Sequence, residues 1–388
     1  MRLLFTTSKV NGTVYSEEQM AYIWQNPKWP SYSYNKEKVD SAYGEYLEKE
    51  KESEVAFSIL DEQARYRIHA KSIADEVVAS LGIENETISF ESVYSSVAKR
   101  LDVKLECKVK TDAYADSVSA VALDAISNHE PLTEERLNTW NRMLFVNYAG
   151  IKPRSAGSYR NGPEYIIKQT NRGPEVIYTA VPPDRVHKEM ETFLAFVNSD
   201  KEKNPMIRSA IASQWFVVIH PYADGNGRIS RAISDYILAR GSEIKTYSMS
   251  SMILADRKEY YARLNAISTQ DESLDLTDWI VWYMEIATNA QINAMETLKK
   301  TIRLTGFMKN LDPSVYNSRE ISILYKLADG SFYGKLTTEK WAKMTKCSTA
   351  AAQRDIRHLV GEGYLVPDGG KGPKTGYFLN EQFLFNFD

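Results

Sequence analysis

Cysteine is nearly missing from this chain: Cys107 and Cys347 are its only two, and they stand far apart in sequence. A disulfide framework and a multi-cysteine zinc site are therefore excluded, and a reducing compartment is expected. Long apolar runs are lacking too. The Leu3-Leu4-Phe5 run is shorter than the roughly 7 to 15 apolar residues of a signal peptide. The stretches Trp215 to Ile219 and Trp279 to Met284 fall well short of the 18 or so residues of a membrane span. The expectation is a cytoplasmic protein with no membrane contact. No sign of charge dominates, since 48 Lys+Arg against 51 Asp+Glu leave a net charge of -3. Such a balance provides no global field for a polyanion, so any nucleic-acid contact falls to a local patch. Internal repeats and low-complexity tracts are absent as well.

What is present is a chain with 43% apolar, 11% aromatic and 26% charged residues, the composition of a packed protein. At about 150 residues per domain, its 388 residues suggest two or three parts. The patterning predicts a mainly α fold divided into 1–105, 106–310 and 311–388. The first part opens on an aromatic and proline cluster, Tyr22, Trp24, Trp29, Pro30, Tyr32 and Tyr34, read as packing against the core. From Ser41 to Ile83, Tyr46, Val55, Ile59, Ile73, Val77 and Leu81 recur at helical spacing and predict one buried face.

Between Phe145 and Asp184 the texture turns to Gly, Pro, Asn and Arg. Tyr165-Ile166-Ile167 and Val176-Ile177-Tyr178, placed around Asn171-Arg172-Gly173-Pro174, predict a hairpin that Pro182-Pro183 closes. Helical periodicity then runs from Asp184 to about Asn310, with breaks near Gly241 and Asp271 to Asp275 and one long helix from Thr277. The last part predicts helices at Arg319 to Ala328, through Met344, and at Thr349 to Gly361. Strands at Tyr364 to Val366 and Gly376 to Leu379 flank a glycine-rich tip at Gly369 to Gly372. Three helices and a hairpin make a winged helix-turn-helix.

The densest chemistry lies in His220-Pro221-Tyr222-Ala223-Asp224-Gly225-Asn226-Gly227-Arg228-Ile229-Ser230-Arg231. Pro221 cannot continue a helix, so His220 is placed where a buried helix ends, facing the loop that follows. Gly225, Asn226 and Gly227 permit a tight loop with inward amides, and the next helix adds unsatisfied N–H groups and a positive dipole end. Arg228 and Arg231, three apart, lie on one side of that helix and suit phosphate oxygens in bidentate fashion. Asp224 is a carboxylate fit for Mg²⁺, which takes only one or two protein ligands. A base, a metal carboxylate, an amide cradle and two guanidiniums describe a phosphoryl- or nucleotidyl-transfer site.

This segment resembles the signature of the Fic family, H-P-F-x-D/E-G-N-G-R-x-x-R, with Tyr222 where the family has Phe. The resemblance implies a helical Fic core with a small β-hairpin flap, and a protein adenylyltransferase with ATP as substrate and Mg²⁺ as metal. By it, His220 is the base that deprotonates a hydroxyl side chain of a target protein, which attacks the α-phosphate and retains AMP. Pyrophosphate departs with Mg²⁺ on Asp224. Asn226 and the amides of Gly225 and Gly227 hold the α- and β-phosphates, Arg228 assists, and Arg231 reaches the γ-phosphate. The target is another protein or the chain itself.

Three further features resemble parts of that family. Val176, Ile177, Tyr178 and Thr179 resemble the flap, an edge strand that holds a target segment by strand addition. Tyr260, Tyr261 and Asn265 lie where a later family helix approaches adenine. Ser80-Leu81-Gly82-Ile83-Glu84-Asn85 matches S/T-x-x-x-E-G/N, an inhibitory motif amino-terminal to the core. Ser80 and Glu84 share one face of a helical turn. The motif implies that Glu84 pairs with Arg231 and occupies the guanidinium meant for the γ-phosphate.

In the winged helix, Thr349, Gln353, Arg354, Arg357 and His358 stand against Asp355, and Lys371 and Lys374 sit at the wing tip. This mild positive patch suits weak DNA binding or protein contact, with a homodimer left open. Two other readings stand beside the transferase: removal of AMP or transfer of another nucleotide group on the same site, and a nucleotide-sensing DNA-binding regulator.

Overall fold

The computed structural model of the chain describes residues 3–5, 22–103, 112–170, 173–199, 201–240, 244–269, 273–309, 311–328, 332, 335–370 and 375–380. Cys107, Asn171, Arg172, Gly241, Asp271, Lys371, Gly372 and Lys374 lie outside the described residues. In chain order the elements are strand β1 (Leu3–Phe5), helices α1 (Lys36–Ser58), α2 (Glu62–Ile83), α3 (Phe90–Arg100), α4 (Ala113–Ser127) and α5 (Glu134–Val146), and strands β2 (Tyr165–Thr170) and β3 (Gly173–Thr179). There follow α6 (Val186–Val197), α7 (Pro205–Ile219), α8 (Asn226–Ala239), α9 (Met249–Ala255), α10 (Arg257–Ser268) and α11 (Thr277–Lys309). The chain closes with α12 (Ser318–Ala328), α13 (Thr338–Thr345), α14 (Thr349–Gly361), β4 (Leu365–Pro367) and β5 (Tyr377–Leu379). Two compact units result, Met1–Ala294 and Met295–Asp388.

Local sequence explains most helix starts. Asn35, Asp61, Ser89, Asp112, Thr133, Asn204 and Ser248 each accept a backbone N–H of the first turn through the side chain. The Asp61 cap also corrects the reading of Ser41 to Ile83 as a single buried face. It starts a second helix after the break at Ile59, and that break leaves Val55 and Ile59 68% and 77% exposed while Tyr46, Ile73 and Leu81 are buried.

The aromatic cluster does pack on the core. Trp29 and Tyr32 meet Trp215 edge-on, Trp29 Nε1 donates to Glu189 at 2.8 Å, and Trp24 Nε1 donates to the Thr179 carbonyl at 2.8 Å. In the first unit, α7 is buried nearly end to end and lies against α8, with Phe216, Ile219, Tyr222, Ile229 and Ile233 at their interface with the core. A helix so apolar on all sides is stable only inside, which makes the end of α7 a rigid place to mount a side chain.

The hairpin forms as expected, with a register irregularity at Ile166/Ile167, but it belongs to a three-stranded sheet ordered β1-β2-β3. Leu3 to Phe5, weighed above only as an apolar run, pair antiparallel with Lys168 to Ile166. That order leaves β3 at the edge among the described strands. The second unit gathers α12, α13 and α14 with an antiparallel β4–β5 pair around Trp341, Leu324, Leu336 and Leu359. A bridge from Leu336 to Tyr377 fastens the hairpin to the segment before α13.

Candidate active site

His220 ends α7 in the left-handed conformation, φ 52° and ψ 58°, and its own N–H still closes the helix on Phe216 O. The turn is forced by Pro221, which carries no donor with which to continue. Nδ1 lies 3.1 Å from the Val217 carbonyl, an acceptor only, so Nδ1 carries the proton and Nε2 is the basic nitrogen. The ring is 4% exposed. Burial pushes its pKa down to about 4; the Arg160 charge adds to this while the Val217 bond and Glu84 oppose it. The imidazole is therefore a base kept neutral, its pKa well below the ordinary histidine value near 6.5.

Arg160, which the sequence reading passed over, is 5% exposed and fixes the loop. Its Nε donates to the His220 carbonyl at 2.7 Å, Nη2 reaches the carbonyls of Ile219 and Val181, and Nη1 that of Gly162. One cation thereby ties the base-bearing turn to both ends of the β2–β3 hairpin. Asn141 acts alike from α5, donating to Asp224 O at 2.9 Å and accepting from Gly157 N at 2.8 Å. Neither residue sits in a motif, so only the folded arrangement identifies them.

The loop from Tyr222 to Gly227 is built by its own side chains. Tyr222 is buried, and its hydroxyl donates to Asn138 at 3.0 Å. Asn226 accepts from Tyr222 N at 2.9 Å and donates to Tyr222 O at 2.7 Å. Its side-chain amide thereby braces the loop that leads into α8. Gly225 has φ 88°, a left-handed conformation that glycine adopts without strain. Gly227 serves another purpose: a methyl group there would collide with Glu84 Oε1. The missing side chain lets a carboxylate rest on the first turn of α8, where unsatisfied N–H groups and the helix dipole attract an anion.

The end of α2 supplies that carboxylate. Glu84 Oε1 lies 2.9 Å from Arg231 Nη2, with the two side chains 14% and 6% exposed. Ser80 accepts from Arg231 twice, its hydroxyl from Nε at 2.8 Å and its carbonyl from Nη2 at 2.9 Å. Tyr261 OH donates to Glu84 Oε2 at 3.3 Å. Arg257 holds the turn from behind through the carbonyls of Gly82 and Ile83 and through Asn85 Oδ1, so Asn85 faces Arg257. Burial works against the Arg231 charge, but Glu84 outweighs it and keeps the guanidinium well above its ordinary pKa.

Arg228 is as deeply placed, 5% exposed and over the Phe145 ring at 5.0 Å. Its partners are Asp224 Oδ1 at 3.2 Å and Glu86 Oε1 at 2.9 Å. Both arginines retain a buried N–H without a hydrogen-bond partner, Arg228 Nε and Arg231 Nη1. Buried guanidinium N–H groups normally find acceptors, so this pair marks a place where oxygen-rich anion fits.

Asp224 tests the metal expectation. Its side chain is 41% exposed, and its Oδ1 is engaged by Arg228 and the Gly225 N–H. Among the described residues no cluster of three His, Cys, Asp or Glu side chains gathers as a metal site. A single accessible carboxylate suits Mg²⁺, which keeps water and takes its remaining oxygens from substrate phosphates.

Of the expected adenine residues, Tyr260 is buried among Trp279 and Trp282, Tyr261 backs Glu84, and Asn265 is exposed. The Tyr260 and Tyr261 rings lie against each other, 5.3 Å between centroids. In the flap, Tyr178 is buried with its hydroxyl on Val218 O, while Val176, Ile177 and Thr179 are half-buried. In the second unit Asp355 is buried against Arg319 at 2.8 Å, and His358 Nδ1 meets Glu320 at 2.8 Å. Only Thr349, Gln353, Arg354 and Arg357 of the expected patch stay exposed on α14.

Residues 131–238 match the Fic/DOC family model, and residues 22–103 match a family described as a domain of unknown function, DUF4172. Two curated proteins, each named protein adenylyltransferase fic-1, are similar. The one from Caenorhabditis elegans is 27% identical over 183 residues, covering 47% of this chain and 33% of that protein. The one from Caenorhabditis briggsae is 26% identical over 172 residues, covering 44% and 30%. The similarity thus spans about a third of the length of either relative. A crystal structure of a Fic family protein from Desulfovibrio desulfuricans superposes with a TM-score of 0.53 at 19% identity, covering 90% of this chain and 98% of that one. At that identity the likeness is one of fold. Residues 131–238 thus match the Fic/DOC family model, within a mostly helical chain. No described helix is long and apolar enough to cross a membrane.

Proposed function

We propose that the chain is a self-restrained protein adenylyltransferase, which moves AMP from ATP to a hydroxyl side chain of a target protein. The observation that carries this reading is the pair of buried guanidiniums at the start of α8, each with an unpartnered N–H, beside a neutral imidazole at the end of α7. In the reaction, His220 Nε2 takes the hydroxyl proton as the oxygen bonds to the α-phosphorus. The bond from that phosphorus to the bridging oxygen breaks, and pyrophosphate leaves. The first-turn amides of α8 and the two guanidiniums receive the phosphate charge, with Arg231 directed at the far end of the chain. Bound at Asp224, Mg²⁺ supplies neutralisation of phosphate charge. The half-buried edge of β3 is the surface along which a target backbone adds. The second unit, three helices and a hairpin, reads as a winged helix whose reduced basic face on α14 serves macromolecular contact.

The test is label transfer. With ATP labelled at the α-phosphate, radioactivity is expected on protein, and with ATP labelled at the γ-phosphate none is expected. Protein labelling from the γ-position would replace the reading with phosphoryl transfer, and labelling from neither with every candidate target would overturn it. Glu84 also influences His220 electrostatically, as a group orienting water for AMP removal would. Loss of label from a premodified protein, assayed in the same reaction, separates that direction.

The pH dependence follows from the lowered pKa of His220. Its neutral form is present above the folded value and is lost as pH falls through about 4. The acid limb of kcat/KM is therefore expected more than a unit below 6.5, in contrast to that of a solvent-exposed histidine. A limb centred at 6.5 would show that the imidazole works in water and not in the buried setting described.

A further inference from the structure

The strap that ends α2 carries a second acid beyond the inhibitory motif. Glu86 Oε1 is 2.9 Å from Arg228 Nη1, and the two side chains are 15% and 4% exposed. Tyr114 OH, from α4, donates to Glu86 Oε2 at 2.8 Å, so both carboxylate oxygens are held. The other terminal nitrogen of Arg228, Nη2, is 3.2 Å from Asp224 Oδ1. One buried cation is thus divided between two carboxylates, and the Phe145 ring beneath it limits where its plane can turn. Of the two acids, Asp224 is the exposed one, at 41%.

This division has a chemical consequence for Asp224. A guanidinium is a fork that takes both oxygens of a single carboxylate when no other acid competes for it. Glu86 occupies one arm of the fork and neutralises its charge, so Arg228 grips Asp224 by one oxygen only. Without Glu86 the full positive charge would fall on Asp224, and a divalent cation would have to compete with it. With Glu86 in place, two acids against one arginine leave an excess negative charge at the mouth of the site.

We infer that Glu86 is a positioning residue for the divalent cation: by holding Arg228 away from full engagement with Asp224, it keeps an Asp224 oxygen available to Mg²⁺. The inference rests on the proposed role of Asp224 as the metal carboxylate. It differs from the role of Glu84, which blocks the other arginine, and it predicts the opposite response to mutation. If Glu86 were a second restraint, its loss would tighten nucleotide binding.

The experiment uses the full chain with Glu84→Gly as parent, so that Glu84 does not mask the site. Calorimetric binding of a non-hydrolysable ATP analogue is measured across a MgCl₂ series, and Mn²⁺ binding by electron paramagnetic resonance serves as a second readout. Adding Glu86→Gln is expected to raise the half-saturating Mg²⁺ about tenfold and weaken Mn²⁺ binding in parallel, as loss of outer-shell partners does at metal sites. Analogue affinity at saturating Mg²⁺ is expected to change less than about threefold. Tyr114→Phe, which removes only the bond that aims Glu86, is expected to shift Mg²⁺ dependence the same way by a smaller factor, and it carries the test if the first variant does not fold. An unchanged or lowered Mg²⁺ requirement overturns the inference, and tighter analogue binding with unchanged metal dependence identifies Glu86 as a restraint. A parent without Mg²⁺-dependent analogue binding instead overturns the proposed function, and this inference with it.

Discussion

Substitution of His220 is expected to lower AMP transfer by about a thousandfold, within the 10² to 10⁴ that a general base contributes, while ATP affinity stays within about threefold. The separation follows from geometry. The imidazole hangs at the end of α7, whereas the anion-receiving groups belong to the start of α8 and its two arginines. Alanine alone would be an ambiguous probe, because position 220 has φ 52° and a left-handed backbone costs a non-glycine residue roughly 1–2 kcal/mol. Asparagine tolerates that conformation and has no basic nitrogen, so His220→Asn is the cleaner variant. Both variants are expected to bind an ATP analogue and to transfer label about a thousandfold more slowly. Transfer retained within tenfold in His220→Asn would remove the imidazole from the reaction.

Removal of the Glu84 carboxylate is expected to act in the other direction. A charge-assisted hydrogen bond contributes about 1.5–3 kcal/mol, so release of Arg231 in Glu84→Gly should raise label transfer ten- to a hundredfold. The same change carries a cost to the resting fold. Arg231 is 6% exposed, and a buried cation that loses its acid partner destabilises its surroundings by about 3–5 kcal/mol, tempered here by the two Ser80 contacts. The variant should therefore melt several degrees lower without nucleotide and regain that loss when ATP and Mg²⁺ are added, since the phosphates replace the carboxylate. Glu84→Gln, which keeps the shape and loses the charge, should fall between the two. Activity unchanged in both variants, measured by the same label transfer, would show that the pairing does not restrain the reaction.

How far the chain could be read in advance differs from element to element. The end of α7 at His220, the glycine turn and the two arginines of α8 were legible because proline, glycine and helical spacing impose local geometry with little help from elsewhere. The hairpin and the helices of the second unit were legible for the same reason. Val55 and Ile59 misled because periodicity reports which side of a helix is apolar but not whether anything covers it, and α1 ends where α2 begins. Leu3 to Phe5 were missed as a strand because pairing with β2 joins segments some 160 residues apart, a contact no local pattern encodes. Tyr260, placed by resemblance near an adenine, packs on Trp279 and Trp282, contacts between helices that spacing along the chain does not encode.

The amino-acid order alone determined the inventory of the site: one imidazole behind a proline, an acid, a glycine loop and two arginines at fixed spacing, with a second acid motif upstream. Those are properties of neighbours along the chain, set by backbone stereochemistry and side-chain type. Which charges meet was decided only when distant helices packed. Arg231 faces Glu84 and Arg228 faces Glu86 because α2 lies over the first turn of α8, and His220 loses much of its basicity because α7 is buried. Pairing and desolvation depend on distance in space and exclusion of water, and neither is a property of sequence spacing.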